Sequence, residues 1–233
     1  IFSDGGTGAG TIYISADHNN EAASTTIEFR IDGSATHKIY ADGSLQSVTA
    51  GTSNFRAGVN AGNSIASGGN YNVVVGDEAG TAITTGDENV FVGYVAGDAI
   101  STASGNTALG AYALTSDTLG SLSVAIGNNA LNSQNFTTAT NAYNVAIGKN
   151  AGLSVTTGVK NILVGGLAGD AITDADENVA VGYDALGANT LGSKSTAIGH
   201  QTLATQNYTT ATESFNTAVG HFAGNAVTTG VQN

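Results

Sequence analysis

A glycine closes the same short apolar motif nine times along this chain of 233 residues, and its spacing constrains the fold more than any other feature. Successive glycines are 17, 17, 17, 21, 17, 17, 17 and 21 residues apart. A fixed period of this size predicts a repeat protein in which each unit packs on its neighbours. The nine glycines are Gly76, Gly93, Gly110, Gly127, Gly148, Gly165, Gly182, Gly199 and Gly220.

Three short units and one long unit make a super-repeat of 72 residues, so residues 76–147 match residues 148–219. The letters repeat as well: GNNALNSQNFTTATNAYNVAIG (127–148) aligns with GHQTLATQNYTTATESFNTAVG (199–220). A third copy begins at Gly220 and reaches only Asn233, and the chain contains no Met. We therefore expect a segment of a longer polypeptide.

The residues before each glycine predict a β-strand. The position three before it is mostly β-branched and the position one before it is always aliphatic, which fits the two-residue alternation of a strand. We expect the latter column to form the structural core ladder. The middle position is apolar and mostly Ala, and we expect this second face to pack closely on a neighbouring chain. The predicted core ladder is Val75, Val92, Leu109, Ile126, Ile147, Val164, Val181, Ile198 and Val219.

Other columns predict the rest of each coil. Ala returns three residues after the glycine, followed by Gly or Leu, and this predicts a second short strand and an opposing wall, with coils about 4.8 Å apart. An Asn column opens the first strand and predicts stacked amides that bond from coil to coil. The alternative is an array that binds ice or a sugar. The predicted turn ladder is Asn72, Asn89, Asn106, Asn144, Asn161, Asn178 and Asn216.

The fold class predicted is therefore all-β: a parallel β-solenoid over residues 51–233, preceded by a small antiparallel module over residues 1–50. TIYISAD (11–17), TTIEFRID (25–32) and HKIYADGSL (37–45) alternate apolar and polar residues around DGS turns, as a meander does. Residues 46–53 are expected to join the two parts, and residues 54–62 to form an irregular first coil that caps the stack.

Composition narrows the functional classes. A formal net charge of −12 opposes binding to nucleic acid or an anionic membrane. No apolar run reaches the roughly 20 residues needed to cross a bilayer, so we expect no membrane insertion. There is no Cys, no phosphate loop and no nucleophile elbow, so we predict no enzyme, no catalytic residue and no cofactor. A tailspike glycosidase would need a pair of carboxylates in a groove, and the spacing of the acids selects none.

Two sets of residues could in principle hold a metal ion, and we interpret both as solvent-exposed positions. His200 and His221 occupy the same column in adjacent coils, but that column also holds Asp, Tyr, Asn and Lys, as a solvated position does. Acidic turns recur at Asp87 and Glu88 and at Asp174, Asp176 and Glu177 without calcium-loop spacing. We predict no metal site.

The long units carry four extra residues with aromatic and amide side chains, and insertions in solenoids often bind ligands. Stacking on a sugar is one interpretation, and anchoring of the loop on its own body is the other. Two of the asparagines also begin N-glycosylation sequons. The candidate glycan or receptor contacts are Asn135, Phe136, Tyr143, Asn207, Tyr208 and Phe215.

The repeat NVAIGKNAG (144–152), followed by a TTG turn, resembles repeats in tail-fibre and other virion appendage proteins of tailed bacteriophages, and the head repeats of trimeric autotransporter adhesins. The segment TIEFRIDGSATHKIYADGSL (26–45) resembles the strand pair that precedes such repeats in phage structural proteins. The adhesin resemblance implies a parallel β-roll assembled as a homotrimer, and neither resemblance implies a catalytic residue.

The sequence therefore predicts a structural shaft of a phage tail fibre or virion appendage that serves host attachment. Its expected partners are two further copies of itself, other fibre or virion proteins, and a host-surface glycan. The alternative is a bacterial trimeric surface adhesin or extracellular filament, so the expected location is a virion appendage or the extracellular surface. An ice-binding solenoid is a minor alternative, because Thr lies mainly in turns such as TTG (84–86).

Overall fold

A computed structural model describes residues 26–31, 34–40, 45–47 and 50–233, with side chains described from residue 50 onward. The strand predicted at residues 11–17 and the two DGS turns lie outside the described residues, as do His18 and the side chain of His37. Every regular element in the described part of the chain is a strand, and no helix there could span a membrane.

The seventeen strands are β1 (Thr26–Ile31), β2 (Ser34–Tyr40), β3 (Leu45–Ser47), β4 (Phe55–Ala57), β5 (Val73–Val75), β6 (Val90–Val92), β7 (Thr107–Leu109), β8 (Gly120–Ser121), β9 (Val124–Ile126), β10 (Thr140–Asn141), β11 (Val145–Ile147), β12 (Ile162–Val164), β13 (Val179–Val181), β14 (Gly192–Ser193), β15 (Thr196–Ile198), β16 (Thr212–Glu213) and β17 (Thr217–Val219).

Strands β1, β2 and β3 form a three-stranded antiparallel sheet. Thr26 pairs with Tyr40 and Ile39 pairs with Leu45, and the register of β1 against β2 shifts between Phe29 and Arg30. Residues 1–48 and 49–233 form two separate compact units.

The second unit is a parallel β-solenoid, which confirms the coil spacing predicted from the glycines. Ten three-residue strands, one per coil, form one sheet in the order β17-β15-β13-β12-β11-β9-β7-β6-β5-β4. Equivalent residues pair in register: Val73 with Val90, and Val75 with Val92. The first coil closes at Gly58, one motif earlier than the nine glycines counted above, and carries Arg56 at the inward position, with its Nε donating to the carbonyl of Ala61 at 2.5 Å.

The prediction of which strand face lines the interior is wrong. The middle residue of each strand points inward, and the predicted core ladder lies on the outer face, where Leu109 is 45% and Val219 66% exposed. The two-residue alternation of a strand explains the inversion, because the buried Asn or Ser that precedes each strand lies on the same face as the middle residue. Most middle residues are Ala because the coil is narrow, with the Ala column of the opposing wall facing them. Fully buried middle residues are Val74, Phe91, Ala108, Ala125, Ala146, Leu163, Ala180 and Ala197.

Within residues 50–233, no strand forms where the second strand of each coil was predicted, three and four residues after the motif glycine. Short second strands occur elsewhere, where β8 pairs with β10 and β14 pairs with β16 in two parallel two-stranded sheets. The opposing wall is a turn, because residues two and four positions after each motif glycine adopt the left-handed conformation, with φ of 58° at Asn150 and 58° at Gly152. A β-ladder requires extended residues, so alternating left-handed ones prevent it. Backbone hydrogen bonds still join this wall from coil to coil, such as Gly152 N to Ala168 O at 2.9 Å.

In each coil a large apolar side chain fills the interior from one of two positions. Where Gly stands four residues after the motif glycine, an Ile or Val three residues further on fills the space, as at Gly80 and Ile83. A Cβ on Gly80 would lie 2.7 Å from the Ile83 Cδ1. Where Leu fills that position instead, the later residue is polar: Asp117 follows Leu114, and Gln134 follows Leu131. The coils with Leu therefore bring polar groups into the interior.

Candidate functional surface and buried polar network

The most extensive candidate site is the outer face of the ten-stranded sheet. We define the outer sheet face as the residues three and one positions before each of the nine motif glycines. It contains no charged side chain, its only polar residues are Thr107, Thr196 and Thr217, and its other members are Val, Ile or Leu. These residues are Val73, Val75, Val90, Val92, Thr107, Leu109, Val124, Ile126, Val145, Ile147, Ile162, Val164, Val179, Val181, Thr196, Ile198, Thr217 and Val219.

All of these residues are half-buried or exposed. Nine strands at about 4.8 Å spacing and three residues of about 3.3 Å each give a face of roughly 38 Å by 10 Å. That is on the order of 400 Å², which is within the range of the largest apolar patch on a typical monomer, and such patches are often functional. Parallel sheets are normally covered on both faces. The outer sheet face is therefore the part of the described chain best suited to a protein partner.

Aromatic side chains stand along one border of this face, at the two positions after the motif glycine. Tyr94 and Tyr112 meet edge to face with ring centroids 5.3 Å apart. His200 stacks between Tyr183 and His221, with centroids 5.4 Å and 4.9 Å away. Within residues 50–233 no three His, Cys, Asp or Glu side chains come together as a metal site. The two histidines are thus an exposed stacked pair.

The opposite border carries an aromatic residue once per 72 residues, at Tyr71, Tyr143 and Phe215. All three adopt left-handed φ values, between 49° and 58°, and all three are about half-exposed. The ammonium of Lys194 lies 5.3 Å from the Phe215 ring centroid, within cation–π range. These rings extend the apolar surface beside the strands.

The six candidate glycan contacts do not converge. Phe136 and Tyr208 are each only 5% exposed, and the Tyr208 hydroxyl donates to the carbonyl of Gly230 at 2.6 Å. Both rings therefore anchor the long turns on the coil. Asn207 Oδ1 accepts from the hydroxyl of Thr190 at 2.6 Å, and Asn135 Oδ1 lies 3.1 Å from the hydroxyl oxygen of Thr118, although both asparagines remain exposed.

Tyr143 and Phe215 belong instead to the border of the outer sheet face. The long turns present Thr137, Thr138 and Ala139, and their counterparts Thr209, Thr210 and Ala211, to solvent.

The Asn column forms a buried amide ladder. Asn72 Nδ2 donates to Asn54 Oδ1 at 3.1 Å and to the carbonyl of Gly86 at 2.8 Å, and Asn89 Nδ2 repeats this with Asn72 Oδ1 at 3.1 Å. Each Oδ1 also accepts the backbone N–H of the next ladder residue, such as Asn89 N at 3.0 Å. The predicted ladder residues Asn72 to Asn216 are fully buried. They stabilise the stack from inside and are not available to ice or to a sugar.

The ladder contains one substitution in each super-repeat, and the residue that compensates for it was not predicted from the sequence. Ser123 and Ser195 stand where Asn is expected, just before each long coil. A glutamine of the long coil supplies the missing amide: Gln134 Nε2 donates to Ser123 Oγ at 3.1 Å, and Gln134 Oε1 accepts from Asn144 Nδ2 at 2.9 Å. The paired Gln in QNFTTAT and QNYTTAT was the available signal.

Asp117 brings a carboxyl group into this network. It is fully buried and accepts from Gln134 Nε2 at 2.6 Å, from Gly120 N at 2.9 Å and from Phe136 N at 3.2 Å. Burial raises the pKa of Asp117, although these hydrogen bonds act in the opposite direction. The equivalent residue one super-repeat later is Asn189.

The acidic turns contribute to coil-to-coil bonding. Asp87 Oδ1 accepts from Asn70 N at 2.6 Å, and Asp176 Oδ1 accepts from Val159 N at 2.8 Å. Asp174 Oδ1 accepts from the hydroxyls of Thr156 and Thr157 at 2.5 and 2.8 Å, and these bonds lower the pKa of Asp174. Glu177 pairs with Lys160 at 3.2 Å.

Thr and Ser hydroxyls on another side of the coil are used in the same way. Thr84 Oγ1 donates to Ser101 O, Ser101 Oγ donates to Thr118 O, and Thr118 Oγ1 donates to Phe136 O, at 3.2, 3.2 and 2.8 Å. Ice binding by a Thr array would require these hydroxyls to face water. They instead join neighbouring coils.

No protein-family model, curated protein or solved structure matches this chain.

Proposed function

We propose that the chain is a shaft segment of a phage tail fibre or related virion appendage, in which copies of the solenoid assemble through the outer sheet face. The observation that carries this proposal is the uncharged, mostly aliphatic outer sheet face, which runs along nine consecutive strands of the ten-stranded sheet. A rod of stacked coils transmits position and load along its axis, which is what a shaft that holds a receptor-binding tip away from a particle requires.

Further copies of the same chain are the partner best matched to this face. A cyclic arrangement with its axis along the stack places each coil beside its own equivalent, so the faces match along their full length and the assembly closes. With three copies, the aliphatic columns meet around the axis and the aromatic borders lie at the seams. This replaces the interface predicted from the sequence, because the Ala column fills the inside of each coil.

The antiparallel module of residues 1–50 is proposed as the connector to the preceding part of the fibre or to other virion proteins. Host-surface glycan would be contacted elsewhere on the appendage or at the long turns. The proposal assigns no catalytic residue, cofactor or metal to this segment.

A bacterial trimeric surface adhesin is the alternative, because the same geometry suits a stalk on a cell. Antibodies raised against the recombinant chain, used for immunogold electron microscopy on phage particles and on cells that encode the protein, separate the two. Labelling along tail appendages is expected. Labelling restricted to the cell surface would move the protein to the adhesin class, and labelling confined to the cell interior would contradict both.

A further inference from the structure

Asp117 is unusual among the described residues because it is a carboxylate inside a narrow solenoid whose other buried polar side chains are neutral. Within residues 50–233 it is the only Asp or Glu that is fully buried. Its partners are an amide and backbone N–H groups, and no charged side chain contributes to its pKa shift. A buried carboxylate without an ionic partner makes the folded state less stable when it is charged than when it is protonated.

The second super-repeat contains a neutral version of the same site. Asn189 Oδ1 accepts from Gly192 N at 3.1 Å, and its Nδ2 donates to Gly192 O at 2.7 Å. Gly192 is the counterpart of Gly120, whose N–H Asp117 already binds. The carbonyl of Gly120 already accepts from Asn106 Nδ2 at 2.9 Å, and its second lone pair can accept from a protonated Asp117, as Gly192 O accepts from Asn189.

We propose that Asp117 is a proton-responsive element that makes the first long coil and the coil before it, but not their counterparts in the second super-repeat, open more easily at neutral pH than at mildly acidic pH. The reason is geometric, since Asp117 is fully buried beside the neutral side chains of Gln134 and Ser123, with no cationic partner, at a position where the second super-repeat has the neutral Asn189. The element belongs to the coil itself, so it does not depend on the proposed assembly or on the host.

The sign follows from the direction of the pKa shift. Because the pKa of Asp117 is higher in the folded coil than in the open one, the folded coil binds the proton more tightly. The stabilisation that the proton confers is complete below the ordinary carboxyl pKa and is lost as the pH rises through the raised pKa. Between the two pKa values the opening equilibrium changes by up to about tenfold per pH unit.

Hydrogen exchange measured by mass spectrometry on the full chain between pH 4.5 and pH 7.5 tests the proposal. After correction for intrinsic rates, amides of residues 115–123 and 134–144 are compared with those of residues 187–195 and 206–216. The comparison lies within one molecule, so general effects of the −12 net charge act on both segments. We expect the first segment to lose protection relative to the second as the pH rises.

Reciprocal substitutions give the control. Asp117→Asn should remove the pH-dependent difference between the two segments, and Asn189→Asp should transfer it to the second long coil. An unchanged pH profile in Asp117→Asn would overturn the proposal, as would a folded Asn189→Asp chain whose second coil shows no added pH dependence. If Asn189→Asp does not fold, the profile of Asp117→Asn alone decides.

Discussion

The backbones of Gly148 and Gly165 approach so closely that a Cβ on Gly148 would lie 2.5 Å from the carbonyl oxygen of Gly165. Gly148 also has a φ of 138°, a region that side chains with a Cβ avoid. The same relationship joins each motif glycine from Gly58 to Gly199 to the next one. Glycine is therefore required twice over, by backbone conformation and by the space between coils.

Replacing Gly148 with Ala should destabilise the solenoid, by about 2 kcal/mol or more, because backbone strain of 1–3 kcal/mol adds to the clash. Gly166→Ala is the matched control, since a Cβ there meets nothing closer than 3.5 Å and its φ is not in the left-handed region. Thermal unfolding followed by circular dichroism compares them. Equal melting temperatures for the two variants would show that coil stacking does not depend on the motif glycine.

Leu163 and Ile162 are neighbours in β12 that point in opposite directions. Leu163→Ala should cost about 2–5 kcal/mol because it leaves a cavity beside Gly152 and Gly169, whose hypothetical Cβ atoms would lie 2.8 and 2.7 Å from its methyl groups. Ile162→Ala should change the stability of the isolated coil far less, since Ile162 is already 43% exposed. Chemical denaturation of dilute protein measures the free energy of unfolding of both variants. A larger loss of stability for Ile162→Ala than for Leu163→Ala would show that Ile162, and not Leu163, points inward.

Gln206 fills the gap in the Asn ladder of the second super-repeat, accepting from Asn216 Nδ2 at 2.8 Å and donating to Ser195 Oγ at 3.0 Å. Gln206→Ala should cost about 1–3 kcal/mol because buried polar groups lose partners. Asn132→Ala removes one exposed hydrogen bond, to Tyr112 O at 3.2 Å, and should cost much less. The melting temperatures of the two variants are compared. A smaller decrease for Gln206→Ala than for Asn132→Ala would show that the glutamine does not complete the ladder.

As the pH falls, Asp174 should change the stability of the folded state in the direction opposite to Asp117. Hydrogen bonds from Thr156 and Thr157 lower its pKa in the folded state, so its contribution is present above the ordinary carboxyl pKa and is lost as the pH falls through the lowered value. Asp174→Asn should therefore be less stable than the native chain at pH 7, with the difference shrinking below about pH 4. Melting temperatures at several pH values provide the measurement, and a constant difference would refute the assignment.

Much of the fold could be predicted from the sequence because glycine spacing fixes the coil length and an Asn column fixes one buried ladder. The inward face could not be chosen from residue size: Ala146 and Ile147 are both apolar, and only the parity of Asn144 separates them. The second strand was predicted from apolar columns, whereas left-handed residues such as Leu167 carry no composition signal for that conformation. The role of Gln134 was hidden because its partners, Ser123 and Asn144, lie 11 and 10 residues away in sequence, and Ser123 belongs to the preceding coil.

The mass of the particle in solution, measured by light scattering, tests the central claim that the outer sheet face is buried between copies of this chain. The native segment should give three times the 23.0 kDa of one chain, and Ile147→Lys should give a folded monomer because it places a charge on that face. Thr102→Lys, at an exposed position away from the face, should remain trimeric. A native monomer, or an Ile147→Lys variant that assembles as the native chain does, would contradict the account.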